Sequence, residues 1–187
     1  MKLAREARKL SCMTPQQQAQ ATTADIIAQC RDQPLVKEKV RPDLCPELAR
    51  IILDRMMRLK HSNATLNVGG WKSPETLFQW PEPAIQELYA AIVGIVGDRN
   101  LKAWAMVNSR GSHHRRHQHG MARVVGVYYV TVGDENAPTP TIYECPTDLH
   151  IDPDPGRLVL APGTMWHRVP ECMGDIPRIT ISFDILR

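Results

Sequence analysis

The chain has 187 residues, of which 43% are hydrophobic and 23% charged, so it is long and apolar enough to bury a sizeable core. The composition fits neither a disordered chain nor a membrane protein, and a net charge of +3 gives no general argument for nucleic-acid or anionic-membrane partners. The five cysteines are widely spaced without a Cys-x-x-Cys pair, which indicates neither a disulfide framework nor a cysteine zinc site and favours a reducing, cytoplasmic setting.

The chain is predicted to contain one folded domain preceded by a leader. Residues 1–40 mix small, polar and basic side chains and are expected to form a leader or a peripheral helical segment. Residues 41–187 are expected to form the domain, helical over 41–100 and β-rich over 101–187.

Two helices are predicted in the first half of this domain. Apolar residues recur at helical spacing from Pro46 to about Lys60, which predicts an amphipathic helix. After Pro81 and Pro83, a second helix is predicted through Ile85 to Val96, ending near Gly97.

From about residue 101 the apolar pattern changes to the two-residue alternation of strands. Strands are predicted at Leu101–Val107, Val124–Val132, Arg157–Leu160 and Arg178–Ile185. Short strands separated by Gly, Pro and Asp turns are typical of a sandwich or a barrel. We therefore expect an α+β fold, with a helical half packed against a β half.

Three histidines are candidate metal ligands: His117, His119 and His167. Residues two apart on a strand share a face, so His117 and His119 can point at one position. His167 follows a Pro-Gly-Thr turn that can direct it inward, and three ligands on one side of an ion leave positions open for substrates. Solvated surface histidines or phosphate contacts are the competing interpretation of the basic run at His113–His117, but they would not require this joint spacing.

Arg178 is a candidate anion-binding residue. It shares one face of the last predicted strand with Thr180, alternating with isoleucines. An arginine that points into an apolar interior needs an anionic partner, and its guanidinium can bind a carboxylate through two parallel hydrogen bonds. The alternative is an exposed or acid-paired strand arginine.

Taken in order, these motifs resemble a known family. The matching segments are Asn67–Ser73, Trp104–Asn108, His117–Gly120, Gly126–Val130, Pro155–Pro162, Trp166–Val169 and Pro177–Asp184. Between roughly Pro42 and Arg187 the chain resembles the 2-oxoglutarate and Fe(II)-dependent oxygenases, in particular a group of small bacterial and phage-type members.

The resemblance implies a double-stranded β-helix, the cupin-like jelly roll, with N-terminal helices packed on one sheet. It implies that His117 and His167 bind Fe(II), that Arg178 binds the distal carboxylate of 2-oxoglutarate, and that Thr180 occupies the hydroxyl position of the Arg-x-Ser pattern. Most of the superfamily has Asp or Glu where this chain has His119. We expect His119 to be the third ligand; otherwise iron takes a carboxylate or water from elsewhere.

Further contacts are expected around this site. Asn108 and Tyr128 are expected to contact 2-oxoglutarate, although Tyr128 and Tyr129 point to opposite faces and only one can reach the pocket. The expected substrate contacts are Arg123, His114 and Trp71.

The resemblance implies a dioxygenase that uses Fe(II), 2-oxoglutarate and O2, hydroxylates a small-molecule, amino-acid or peptidyl substrate, and releases succinate and CO2. One alternative is a three-histidine cupin-type dioxygenase that does not use 2-oxoglutarate. Another is a non-enzymatic module in which His113 to His119, Arg115, Arg116 and Arg123 form a basic nucleic-acid patch. No membrane partner is expected, nucleic acid is disfavoured, and a homodimer is compatible with the sequence.

Overall fold

The computed structural model describes residues 24–59 and 66–186. Its helices are α1 (residues 24–29), α2 (Cys45–Arg58) and α3 (Pro83–Val96), with short 3-10 helices at Pro42–Leu44 and Leu77–Gln79. Both helices predicted in the first half of the domain are confirmed within two residues at each end. Each begins with a proline in its first turn, where the missing N–H costs no hydrogen bond. No helix in these ranges is long and apolar enough to cross a membrane.

Eleven strands in the described part of the chain form two antiparallel sheets. They are β1 (Leu35–Lys37), β2 (Asn67–Val68), β3 (Trp71–Lys72), β4 (Leu101–Asn108), β5 (His113–His117), β6 (Ala122–Tyr129), β7 (Thr141–Tyr143), β8 (Leu149–Ile151), β9 (Leu158–Pro162), β10 (His167–Val169) and β11 (Arg178–Leu186). The larger sheet has the order β1-β9-β6-β11-β4-β3, and the smaller has the order β2-β5-β10-β7-β8. Two antiparallel sheets that face each other across a cavity are the architecture expected of the jelly roll, and this fold is confirmed.

The two faces of β11 explain how the layers are arranged. Its apolar residues Ile179, Ile181, Phe183 and Ile185 belong to a core that also contains the buried side chains of α2 and α3. The alternate residues Arg178, Thr180 and Ser182 line the cavity between the sheets. Since β11 pairs with β4 on one side and β6 on the other, this alternation directs one face of the larger sheet to the helices and the other to the site.

The described part of the expected leader, residues 24–40, packs against the rest of the domain and includes a helical segment at 24–29. Ile26 and Cys30 are buried in the helix-side core, and β1 pairs with β9. The hydroxyl group of Tyr128 also contacts the carbonyl oxygen atoms of Val40 (2.9 Å) and Arg41 (3.0 Å). Residues 24–40 therefore belong to the domain, whereas the rest of the leader, 1–23, lies outside the described residues.

Several strands were not predicted because they are too short to display alternation. The segment expected to be helical, 41–100, also supplies β2 and β3, which have two residues each. Likewise β7, β8 and β10 have three residues each. Their pairing depends on neighbouring strands, which a local pattern does not encode.

Gly126 allows the Phe183 ring to lie against the adjacent strand, and this contact gives a test of the packing. A Cβ atom at Gly126 would overlap the Phe183 ring, which is fully buried. We expect Gly126→Ala to lower the free energy of unfolding by about 1–3 kcal/mol, the usual cost of overpacking. The measurement is urea unfolding.

Gly94→Ala is the matched control, because a Cβ atom there meets nothing within 4 Å and the residue lies in the exposed part of α3. It should stabilise the protein by about 0.5–1 kcal/mol, the usual gain for Gly to Ala in a helix. Equal effects of the two substitutions would contradict the packing described for Phe183.

Candidate metal centre

The three candidate ligands come together at one end of the cavity. His117 ends β5 and His167 begins β10, and the two residues are register partners in neighbouring strands. His119 lies beyond the end of β5, where its backbone N–H donates to the carbonyl oxygen of Gly163 at 2.7 Å. One ligand atom from each imidazole lies within 4.8 Å of the other two. The turn after β5, rather than strand alternation, brings His119 to the group.

Two of the imidazoles are oriented by backbone carbonyl groups. The Nδ1 atom of His117 lies 2.7 Å from the carbonyl oxygen of Arg115, and that of His167 lies 3.0 Å from the carbonyl oxygen of Met165. A carbonyl oxygen only accepts hydrogen bonds, so Nδ1 carries the proton in both rings. The lone pair for a metal is then on Nε2, and the tautomer is fixed before any ion binds.

His119 is oriented by a side chain. Its Nδ1 atom lies 2.7 Å from Oδ1 of Asp184, and its ring stacks on the indole of Trp104 with an interplanar angle of 10°. When Asp184 is ionised it accepts this hydrogen bond, which leaves Nε2 of His119 free as well.

Burial keeps two of the candidate ligands, His117 and His167, in the protonation state that a metal needs. Desolvation lowers the pKa of His167 to about 3 and lowers the pKa of His117. Both imidazoles are therefore neutral near pH 7, as ligation requires. Imidazole nitrogen atoms suit Fe, Zn, Ni and Cu, so this donor set fits Fe(II) without selecting it.

Arg178 lies in the inner cavity that the three histidines also line. The arginine is 4% exposed, and its Nη2 atom donates to Oγ1 of Thr141 at 2.8 Å. Its guanidinium carbon lies 5.1 Å from the centre of the Tyr129 ring. Among the described residues its buried Nε–H has no hydrogen-bond partner. A buried cation with an unpaired donor fits an anionic ligand such as a carboxylate.

Two other expected cosubstrate contacts also line the inner cavity. Thr180 and Asn108 are each 2% exposed, and the side-chain amide of Asn108 donates to Oδ1 of Asn67 at 3.0 Å. Their placement agrees with the expected positions, and their roles stay predictions. Sequence reasoning missed Thr141, since no pattern links its three-residue strand to Arg178.

The expected role of Tyr128 is wrong. The Tyr128 side chain points to the helix side of the larger sheet, where its hydroxyl group lies 3.3 Å from Sγ of Cys45. The neighbouring Tyr129 points between the sheets, and its hydroxyl group donates to Oγ1 of Thr141 at 2.7 Å. Alternation along β6 therefore gives Tyr129 the place expected of Tyr128.

Two of the three expected substrate contacts, Trp71 and Arg123, do not line either cavity. Trp71 is 3% exposed and belongs to the helix-side core. Arg123 is exposed, pairs with Asp98 at 2.8 Å, and lines neither cavity. His114 lines both the inner cavity and a wider outer one, and its role as a substrate contact stays a prediction.

A wider outer cavity opens onto two of the three candidate ligands. It has a volume of about 390 Å³ and includes His117 and His119 in its wall. The other residues that line it are Leu66, Lys72, Glu75, Trp104, His114, Gln118, Gly120, Met121, Ala122 and Asp184. Apolar and charged groups are both present, so the site suits an amphipathic substrate group.

Comparison with known proteins gives similarity at the level of structure. No family model matches the sequence, and no curated protein sequence matches it. A prolyl-4-hydroxylase from Pseudomonas putida aligns with 88% of this chain and 100% of its own, at 16% identity and a TM-score of 0.67. A Trichoplax adhaerens prolyl hydroxylase, solved with a peptide fragment of the hypoxia inducible factor, aligns over 91% of each chain at 13% identity and a TM-score of 0.71.

A 2OG-Fe(II) oxygenase family structure from Burkholderia pseudomallei also aligns, over 88% of this chain and 94% of its own, at 12% identity and a TM-score of 0.60. At these sequence identities, the structural similarity establishes the fold of this chain. The chain has the double-stranded β-helix fold of the 2-oxoglutarate and Fe(II)-dependent oxygenase structures.

Proposed function

We propose that the protein is an Fe(II)- and 2-oxoglutarate-dependent dioxygenase that hydroxylates a small-molecule, amino-acid or peptidyl substrate. One observation carries the proposal: a buried arginine with an unpaired donor shares a cavity with three convergent imidazoles. The fold of the oxygenase structures supports it.

The residues divide into a metal group and an anion group. His117, His119 and His167 would hold Fe(II) through Nε2, while Arg178 and Thr180 would bind the distal carboxylate of 2-oxoglutarate. With both bound, the site would supply oxidation by O2, in which 2-oxoglutarate becomes succinate and CO2 and the substrate is hydroxylated.

The protein orients the groups that bind the cosubstrate and lines the inner cavity with apolar side chains that exclude water. Arg178 is held between the Tyr129 ring and the hydroxyl group of Thr141, so its guanidinium is oriented before a carboxylate arrives. Val125 and Val127 line the same cavity and keep its dielectric low, which strengthens the attraction between Arg178 and an anion.

The substrate would approach the histidines from the outer cavity. His114 borders both cavities and would lie between substrate and cosubstrate. The peptide bound to the Trichoplax enzyme supports a peptidyl group as one substrate class for this chain.

A three-histidine dioxygenase that binds its substrate directly is the second candidate. The observation in its favour is the donor set, which has an imidazole where the 2-His-1-carboxylate site has an acid. In that case Arg178 would pair with an anionic group of the substrate, and 2-oxoglutarate would not be required.

The metal site is tested by removing one ligand. We expect His167→Ala to weaken anaerobic Fe(II) binding by more than about 100-fold, because loss of a ligand should exceed the 10- to 100-fold effect of losing an outer partner. Isothermal titration of the apo protein measures the affinity. The control is His150→Ala, which removes an exposed histidine on β8 and should bind as the unaltered protein does. Equal affinity in both variants would refute the assignment.

The cosubstrate site is tested at Arg178. We expect Arg178→Lys to weaken binding of 2-oxoglutarate to the Mn(II)-loaded protein by about 10- to 100-fold, since lysine keeps the charge but loses the paired hydrogen bonds. Arg123→Ala is the control, because its guanidinium is exposed and paired with Asp98. Turnover without 2-oxoglutarate, or an affinity unchanged by Arg178→Lys, would favour the second candidate.

A further inference from the structure

We propose that Asp184 is the positioning residue of His119, and that through this hydrogen bond it supplies the negative charge that a carboxylate ligand would bring to the metal directly. The inference rests on the proposed metal-binding function. It explains how a site of three imidazoles can retain the charge of a site of two imidazoles and one acid.

Asp184 is placed for this role by β11. It lies on the strand face that also carries Arg178, Thr180 and Ser182, so the strand that presents the anion-binding arginine also presents the carboxylate. Its Oδ1 atom is 2.7 Å from Nδ1 of His119. The side chains of Asp184 and His119 are each 16% exposed, so water screens this pair weakly.

A second contact holds the His119 ring from its face. The indole of Trp104 is nearly parallel to the imidazole, with ring centres 5.9 Å apart. Trp104 is in turn covered by the ammonium group of Lys72, 4.4 Å from its centre, and Lys72 donates to Glu75 at 2.8 Å. The hydrogen bond fixes the ring within its plane and the stacking fixes the plane, so Nε2 is aimed by two independent contacts.

The other two ligands need no such side chain. Their Nδ1 atoms donate to carbonyl groups two residues earlier in the chain, at Arg115 and Met165. At His119 the hydrogen bond from Nδ1 is accepted by the carboxylate of Asp184 instead. A carboxylate partner makes an imidazole more basic than a carbonyl partner does, so the change of partner also changes the ligand.

The total charge of the metal site also supports a role for Asp184. A divalent ion with three neutral imidazoles leaves a charge of +2 on the centre, whereas an acid among the ligands leaves +1. Asp184, one hydrogen bond further out, restores +1 for the ion, its ligands and this partner taken together. Charge so close to a metal alters its affinity and its redox behaviour.

The test is the affinity of the apo protein for Fe(II), measured anaerobically for Asp184→Asn. Asparagine keeps the shape and can accept the hydrogen bond through its oxygen atom, but it carries no charge. We expect affinity to fall by about 10- to 100-fold. Asp98→Asn removes one carboxylate from the surface pair with Arg123 and should leave affinity unchanged.

A double substitution separates positioning from a general structural role. In a His119→Asp background the metal has a carboxylate ligand, and Asp184→Asn should no longer weaken binding, because no imidazole remains to be oriented. A similar loss in both backgrounds would overturn the inference, since a structural role would act in both.

A further measurement does not depend on how well the variants fold. Nitrogen-15 NMR of the Zn(II)-loaded unaltered protein should show His119 protonated at Nδ1 and bound to the metal at Nε2. Binding through Nδ1, or an unligated His119, would overturn the inference. If the unaltered protein binds no metal, the proposed function itself fails; if it binds metal and Asp184→Asn binds equally well, this inference alone fails.

Discussion

The alternation of side chains along β11 is the constraint on which the rest of the molecule depends. One face of this central strand packs four apolar residues under the helices, and the other face carries Arg178, Thr180, Ser182 and Asp184. A shift of one residue in its pairing would exchange the two faces, burying charges in the core and exposing isoleucines to the cavity. The same hydrophobic force that fixes the fold therefore also fixes the position of the site.

The geometry of the site is fixed by hydrogen bonds that each functional side chain makes through atoms that would not contact the metal or the anion. Backbone carbonyl groups fix the tautomers of His117 and His167, and Asp184 accepts from His119. Arg178 is held between the Tyr129 ring and the hydroxyl group of Thr141, and its Nε–H has no partner among the described residues. Each imidazole thus makes a hydrogen bond through Nδ1 and keeps Nε2 available for a metal, while the guanidinium keeps a donor available for an anion. This is the arrangement expected of a preorganised site.

Secondary-structure elements that have a regular hydrophobic periodicity were predictable from the sequence. The helices α2 and α3 and the long strands β4, β6 and β11 have clear periodicity, and their positions are confirmed. The resemblance to the oxygenase family implied the jelly-roll fold, which is confirmed as well. The histidine group was predicted as a set, and the described residues bring its members together.

What the sequence did not disclose depends on contacts between distant segments. Strand alternation predicts that Tyr128 and Tyr129 lie on opposite faces of the sheet. Which of them faces the helices depends on the packing of Val40 and Cys45. Thr141 and Asp184 lie 37 and 65 residues from the side chains that they contact. A core position and a pocket position could not be told apart for Trp71, because an aromatic residue near glycines has the same sequence pattern in both; the structure places it in the helix-side core.

The most direct test of the account is the order of binding and reaction in one anaerobic experiment. Apo protein is mixed with Fe(II), then with 2-oxoglutarate, binding is followed by calorimetry, and O2 is then admitted while succinate is measured. Both components should bind, 2-oxoglutarate should bind more tightly once Fe(II) is present, and succinate should form only after O2 is admitted. Failure to bind either component, or oxygen exposure that yields no succinate, would contradict it.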